Sequence, residues 1–257
     1  VTLEASTLIT FRLLSLTLLI QAAEILILTR ESDFKYIWSF KNLRLDLLSG
    51  LPLPPKIIET IFSIHKLQII TLIQIITATI TAFAPSTLGT ILLIITHLLM
   101  CIRFRGSFNG GSDMMTFVVL TGALIASTGA AKVGMIYIAT HALFSYFKAG
   151  LAKAKYREWW NGQAISTFLS RSLFPNIQMV STQLIKYRWL SKCAGWLTLF
   201  FEFSVVGLLF FPQLSMLYMA IAIVFHLSIY FCFGLNRFFW IWITTWPAIL
   251  YSLSLLN

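Results

Sequence analysis

Eight long apolar stretches dominate this 257-residue chain, at 5–28, 67–83, 87–102, 114–129, 133–152, 194–211, 214–233 and 238–255. A helix needs about 20 mostly apolar residues to cross the hydrocarbon core of a bilayer. Inside that core every backbone polar group must be satisfied internally, which leaves only helices and closed barrels. Barrel strands alternate apolar and polar residues over about ten positions, whereas these runs are continuous. The expected fold is therefore all-α, a polytopic membrane bundle of about eight transmembrane helices plus interfacial helices. Charged residues make up 11% of the chain, against about 25% in soluble domains. That excludes an ordinary soluble enzyme and a disordered chain.

The stretches are expected to form one domain over 1–257, with long polar loops at about 30–66 and 153–192. Ala84-Pro85-Ser86 and Phe211-Pro212-Gln213 are tight turns between neighbouring spans. In the first long loop, Leu51-Pro52-Leu53-Pro54-Pro55 breaks any helix running through it. The second reads as interfacial helices over 164–174 and 177–190, parted at Pro175, with apolar faces and cationic ends. The chain begins at Val1 rather than Met, and a processed or incompletely represented N-terminus is expected. The first span is too long and too charged for a signal-peptide core.

Lysine and arginine are distributed unevenly around these spans. Six follow the first span, two the third, seven the fifth and one the seventh, while the opposite side has only Lys132. Arg12 and Lys148 lie within spans. This positive-inside asymmetry places the long loops in the cytoplasm. It accounts for the net charge of +10 by topology and contact with anionic lipid. Membrane lipids are thus the expected partners, together with other membrane-protein subunits. Nucleic acid is not, since no soluble basic domain is present to bind it.

Ionisable groups inside a bilayer are costly and normally face a partner or a cavity. Arg12, Glu24, His97, His141, Lys148, Glu202 and His226 are the candidates. His141, Lys148 and Lys155 recur every seven residues, which places them on one helix face. They either line a polar site or are snorkelling lysines beside a hydrogen-bonded histidine. Glu202 and His226 lie on neighbouring spans and can pair. Haem is not expected, because three spans carry single histidines and none carries two. Cys101, Cys193 and Cys232 form no CxxC pair, so neither a disulfide nor a metal ligand set is expected. The chain has no P-loop, HExxH or Gly-x-Ser-x-Gly.

Two polar clusters are denser. Arg105, Asn109, Gly110, Gly111, Ser112 and Asp113 join the third and fourth spans, where Ser112 or Asp113 can cap the helix that follows. Tyr146-Phe147-Lys148-Ala149-Gly150-Leu151-Ala152-Lys153 runs on towards Trp159-Trp160-Asn161-Gly162. Its small residues permit close helix approach. A lysine just below the membrane surface suits a general base, and the tryptophans equally suit an interfacial belt.

In these clusters, and in the stretch from Phe225-His226 through Gly234-Leu235-Asn236-Arg237 to Trp246-Pro247, the chain resembles the HTTM family. That family is related to the membrane domain of vitamin K-dependent gamma-carboxylase. The resemblance implies a lysine base acting on a quinol, which falls on Lys153. It also implies an assisting group in the turn after the third span, where Asp113 replaces the family's histidine. A quinone is the cofactor class implied. The carboxylase's large lumenal domain has no counterpart before Asn257, so propeptide gamma-carboxylation is not expected.

Three functions follow as expectations. The first is a quinone- or lipid-accessible site in a bacterial inner membrane, with Lys153 and Asp113 catalytic. Asn109, Gly110, Gly111, Ser112, Arg105, His141, Lys148, Trp159, Glu202 and His226 would bind substrate there. The others are a non-catalytic accessory subunit of a larger membrane complex and a maturation or export factor for a secreted peptide.

Overall fold

A computed structural model describes residues 1–31, 42, 54–104, 110–172 and 174–256. The described residues are helical, with no strand among them. In chain order the helices are α1 (Leu3–Leu28), α2 (Pro55–Phe62), α3 (Ile64–Phe83), α4 (Thr87–Phe104), α5 (Gly111–Ser127), α6 (Ala131–Ala154), α7 (Arg157–Trp160), α8 (Gln163–Ser170), α9 (Pro175–Lys186), α10 (Arg188–Ser204), α11 (Ser215–Phe233) and α12 (Asn236–Ser254). Short 3-10 turns at Val205–Leu209 and Pro212–Leu214 lie between α10 and α11. The chain divides into two compact units, one of Thr7–Gly134 and one of Val1–Ser6 with Met135–Asn257.

Five segments among the described residues are long and apolar enough to cross a membrane: Leu3–Leu28, Ile64–Phe83, Thr87–Phe104, Arg188–Leu209 and Pro212–Phe233. The expected count of about eight is therefore met only in part. The other three predicted spans are helical but less suited to lipid. α5 has 17 residues, about 26 Å at 1.5 Å per residue. α6 carries Lys132, Lys148 and Lys153, and α12 is rich in tryptophan and carries Pro247 within it.

In the unit of Thr7–Gly134 the helices wear their oil outwards. On α3 the buried face is Leu67, Thr71, Gln74, Thr77, Ala78 and Thr81, while Ile69, Leu72, Ile73, Ile76, Ile80 and Phe83 are exposed. Lipid offers no hydrophobic incentive to bury leucine, so contacts between membrane helices use small and polar groups. The same logic places Gln74 Nε2 as donor to the Leu18 carbonyl at 3.3 Å. A Cβ on Gly134 would run into the Gly122 carbonyl, so only glycine allows that approach. The turn expected at Ala84-Pro85-Ser86 is present, and Ser86 Oγ caps α4 by accepting the Gly89 N–H at 3.1 Å.

In the first long loop, Leu51-Pro52-Leu53 lie outside the described residues, and Pro54 and Pro55 stand at a helix start. They start α2, because proline at a helix N-terminus gives up an amide that would have no partner anyway. One sequence expectation needs correction here, the end of the second interfacial helix. It does not reach residue 190. Tyr187 leaves helical geometry at φ −106°, ψ 69°, and Arg188, Trp189 and Leu190 begin α10.

The unit of Val1–Ser6 with Met135–Asn257 packs α7, α8 and α9 against α10, and α11 against α12. α11 presents Met216, Leu217, Val224 and Phe231 outwards and buries only Ala222 and His226. A histidine as one of two buried side chains on a lipid-facing helix calls for a polar partner inside the unit.

Candidate functional site

The inward face of α6 repeats at Tyr146, Gly150 and Lys153, spacings of four and three that stack side chains on one side of a helix. α10 faces it with Ala194, Thr198 and Glu202. Gly150 sets the approach, because a Cβ there would stand 3.3 Å from the Glu202 Cβ. Lys153 Nζ consequently reaches Glu202 Oε1 and donates to it at 2.5 Å. The glutamate side chain is 4% exposed and the lysine 24%. Lys153 also lies over the Trp159 ring, 5.4 Å from its centroid, in a cation–π contact.

Deeper in the same unit, the Tyr146 hydroxyl and His226 Nε2 share a 2.7 Å hydrogen bond. Trp242 stacks on His226 with ring centroids 5.2 Å apart and planes 15° from parallel. These groups line a cavity of about 620 Å³ whose other walls are mostly aliphatic and aromatic, among them Phe168, Leu169, Phe225, Ile229 and Phe238. Two buried polar atoms on the lining residues, Glu202 Oε2 and His226 Nδ1, have no hydrogen-bond partner among the described residues. The site is thus a greasy chamber containing one ion pair, one tyrosine–histidine pair and spare hydrogen-bonding capacity. Tyr146→Phe removes one end of the inner pair and leaves His226 Nε2 buried without its partner. We expect a stability loss of about 1–2 kcal/mol in micelles, measured by chemical unfolding.

Of the residues expected from sequence to form a site, Lys153, Trp159, Glu202 and His226 meet in this cavity. His141 and Lys148 do not line it. They are exposed on α6, with His141 against Tyr137 at 4.4 Å and Lys148 Nζ 5.6 Å from the Phe144 centroid, and Lys155, also exposed, lies in the turn just beyond the helix. The seven-residue spacing put His141 and Lys148 on one face as expected, and that face is the outer one. Arg105 and Asn109 lie outside the described residues. Gly110 is the N-cap of α5, in extended backbone and with no side-chain cap, so neither Ser112 nor Asp113 caps that helix. Gly111 and Ser112 open its first turn, and Asp113, at its third position, complements the helix dipole there. Asp113 belongs to the unit of Thr7–Gly134, where it groups with His97 and Cys101.

Tyr146 and Trp242 were not singled out as site residues from sequence. Tyr146 stands seven residues before Lys153, so the heptad spacing that picked out His141 and Lys148 selects it when applied from Lys153. Trp242 gave no such signal, since tryptophan is common in membrane helices for interfacial reasons.

A family model for the HTTM domain matches residues 112–252. The chain belongs to the HTTM domain family. The matched range contains every residue named around the cavity, and it contains Asp113 but neither His97 nor Cys101. Together with the five apolar segments, the HTTM domain identifies an integral membrane protein. No curated protein matches the chain, and no solved structure does.

Proposed function

We propose that the cavity binds an amphipathic molecule with a hydroxyl- or carbonyl-bearing head, a quinol or quinone by class, and moves a proton at that head. The observation that carries this reading is the pair of buried polar atoms without partners, Glu202 Oε2 and His226 Nδ1, on the walls of an otherwise apolar chamber. A buried polar atom is costly unless hydrogen-bonded, and a ligand O–H and C=O would satisfy both. Glu202 Oε2 accepts from the hydroxyl. With Tyr146 donating to Nε2, His226 carries its proton on Nδ1 and donates to a carbonyl. The apolar walls take the ring and the start of a lipid tail.

Lys153 is held as an ammonium by Glu202, so it is not a base while the pair is intact. If its proton passes to Glu202, the neutral amine can take the proton of the ligand hydroxyl. The ammonium is then restored beside the new oxyanion, and the proton count is unchanged. An accessory-subunit role or a peptide-maturation role gives no account of these two polar atoms.

Trp159 and Trp242 line the cavity, so a short-chain benzoquinol or naphthoquinol titrated into the micellar protein should quench tryptophan fluorescence saturably. Lys153→Ala and Glu202→Gln should each weaken binding tenfold or more, while His141→Ala and Lys148→Ala should not change it. Unsaturable quenching, or equal affinities across the four variants, would sink the reading.

A further inference from the structure

His97 and Cys101 are four residues apart on α4, one turn along the same face. Asp113 comes from the first turn of α5, within the same unit of Thr7–Gly134. One imidazole nitrogen, the thiol sulfur and one carboxylate oxygen all lie within 4.8 Å of one another. His97 is fully buried and Asp113 is 4% exposed, while Cys101 is half-buried. Phe117 and the imidazole pack in a T-shaped pair, with ring centroids 4.7 Å apart.

The spacing is informative. Cys101 Sγ stands 3.5 Å from His97 Nε2. Zinc binds imidazole nitrogen at about 2.0–2.1 Å and thiolate at about 2.3 Å, and at a tetrahedral angle those bonds place N and S about 3.5 Å apart. The two α4 donors therefore already stand at the separation of two ligands on one ion. Bringing the Asp113 oxygen into the same shell needs a side-chain movement on the order of 1 Å. The Asp113 main-chain carbonyl, 3.4 Å from Nε2, is the competing partner for that nitrogen. Metal binding selects the tautomer with the proton on Nδ1.

We propose that His97, Cys101 and Asp113 bind one divalent transition-metal ion of the zinc class. A mixed nitrogen, sulfur and oxygen donor set suits zinc or cobalt and not magnesium or calcium, which take oxygen ligands. A dication also offsets the cost of placing a carboxylate and a thiolate among apolar helices. Three protein ligands leave the fourth tetrahedral position open. The site shares no residue with the cavity, and its test reads the metal rather than quinol binding, so either can fail alone.

The full chain in detergent, stripped with a chelator and titrated with Co²⁺, should develop a near-ultraviolet thiolate-to-cobalt band together with visible bands of tetrahedral intensity. These should saturate at one equivalent and be displaced by Zn²⁺. Cys101→Ser should abolish the near-ultraviolet band, and His97→Gln and Asp113→Asn should each weaken binding tenfold or more. Cys193→Ser and Cys232→Ser should leave the bands intact. X-ray absorption on the zinc-loaded native chain removes any dependence on how the variants fold, and should show one sulfur at about 2.3 Å with nitrogen and oxygen completing the shell. Failure to retain one equivalent of metal, or a shell without sulfur, overturns the proposal.

Discussion

Lys153→Met should destabilise the protein in micelles by about 3–5 kcal/mol, and adding Glu202→Leu should restore most of that loss. Removing one partner of a buried ion pair leaves an uncompensated charge and costs in this range, whereas replacing both by apolar groups is often close to neutral. The two ends of this pair are not equivalent, which makes the expectation sharper. Glu202 is the deeper, at 4% side-chain exposure against 24% for Lys153. It has a short side chain and no second partner for Oε2. With Lys153 gone it must keep a buried charge or take up a proton. Lys153 instead sits in the last turn of α6, where a cation is favoured by the helix dipole, and its long stem can carry the ammonium towards water.

Glu202→Gln should therefore cost less than Lys153→Met, about 1–2 kcal/mol. Denaturant unfolding of Lys153→Met, Glu202→Leu and the double Lys153→Met/Glu202→Leu variant, by circular dichroism in one detergent, yields the coupling energy directly, with Glu202→Gln measured alongside. If the double variant is as unstable as Lys153→Met, the pair is not the source of the cost. If the glutamine change is the worse of the two, the assignment of the deeper partner is wrong.

The all-helical character was legible because long apolar runs leave few alternatives, and the turn at Ala84-Pro85-Ser86 was legible because proline and serine both stop one helix and cap the next. The end of the second interfacial helix was not. Arg188 and Trp189 look like headgroup residues wherever they fall, and only the backbone at Tyr187 shows that they begin α10. The site was half legible for a similar reason. Periodicity groups residues by face but does not say which face turns inwards. His141 and Lys148 share one face of α6, and Tyr146, Gly150 and Lys153 share the other. A charged stripe drew attention to the outer face, while the inner one was marked only by a glycine, a tyrosine and one lysine. Glu202, His226 and Trp159 stood out as polar or interfacial residues, but their convergence depends on α10, α11 and the α7 turn folding together. His97 and Cys101 carried a readable spacing of four, concealed inside an apolar span that looked sufficient as a membrane crossing.

Gly162→Ala should cost about 3 kcal/mol or more, through a mechanism unrelated to charge. Gly162 has φ +81°, a left-handed conformation that costs an L residue roughly 1–2 kcal/mol. A Cβ there would also run into the backbone of Ser191 and Lys192 on α10. Backbone atoms cannot swing aside as a side chain can, so the helices must separate, and overpacking of this kind costs about 1–3 kcal/mol more. The contact is reinforced from the other side, since the Ser191 hydroxyl donates to the Gly162 carbonyl. The neighbouring Asn161 Oδ1 accepts the Gln163 N–H at 2.9 Å and holds the turn into α8. This turn sets where α7 and α8 meet α10, and both supply walls of the cavity through Trp159, Ile165 and Phe168. The damage should thus spread beyond stability. Quinol quenching of Trp159 should weaken in Gly162→Ala even at temperatures where the variant remains folded. Ser191→Ala removes only the hydroxyl bond, leaves the backbone free to pack, and should cost about 1 kcal/mol. Thermal unfolding of the two variants separates the causes: equal losses would mean that the hydroxyl bond, and not the space reserved by the missing Cβ, holds the turn against α10.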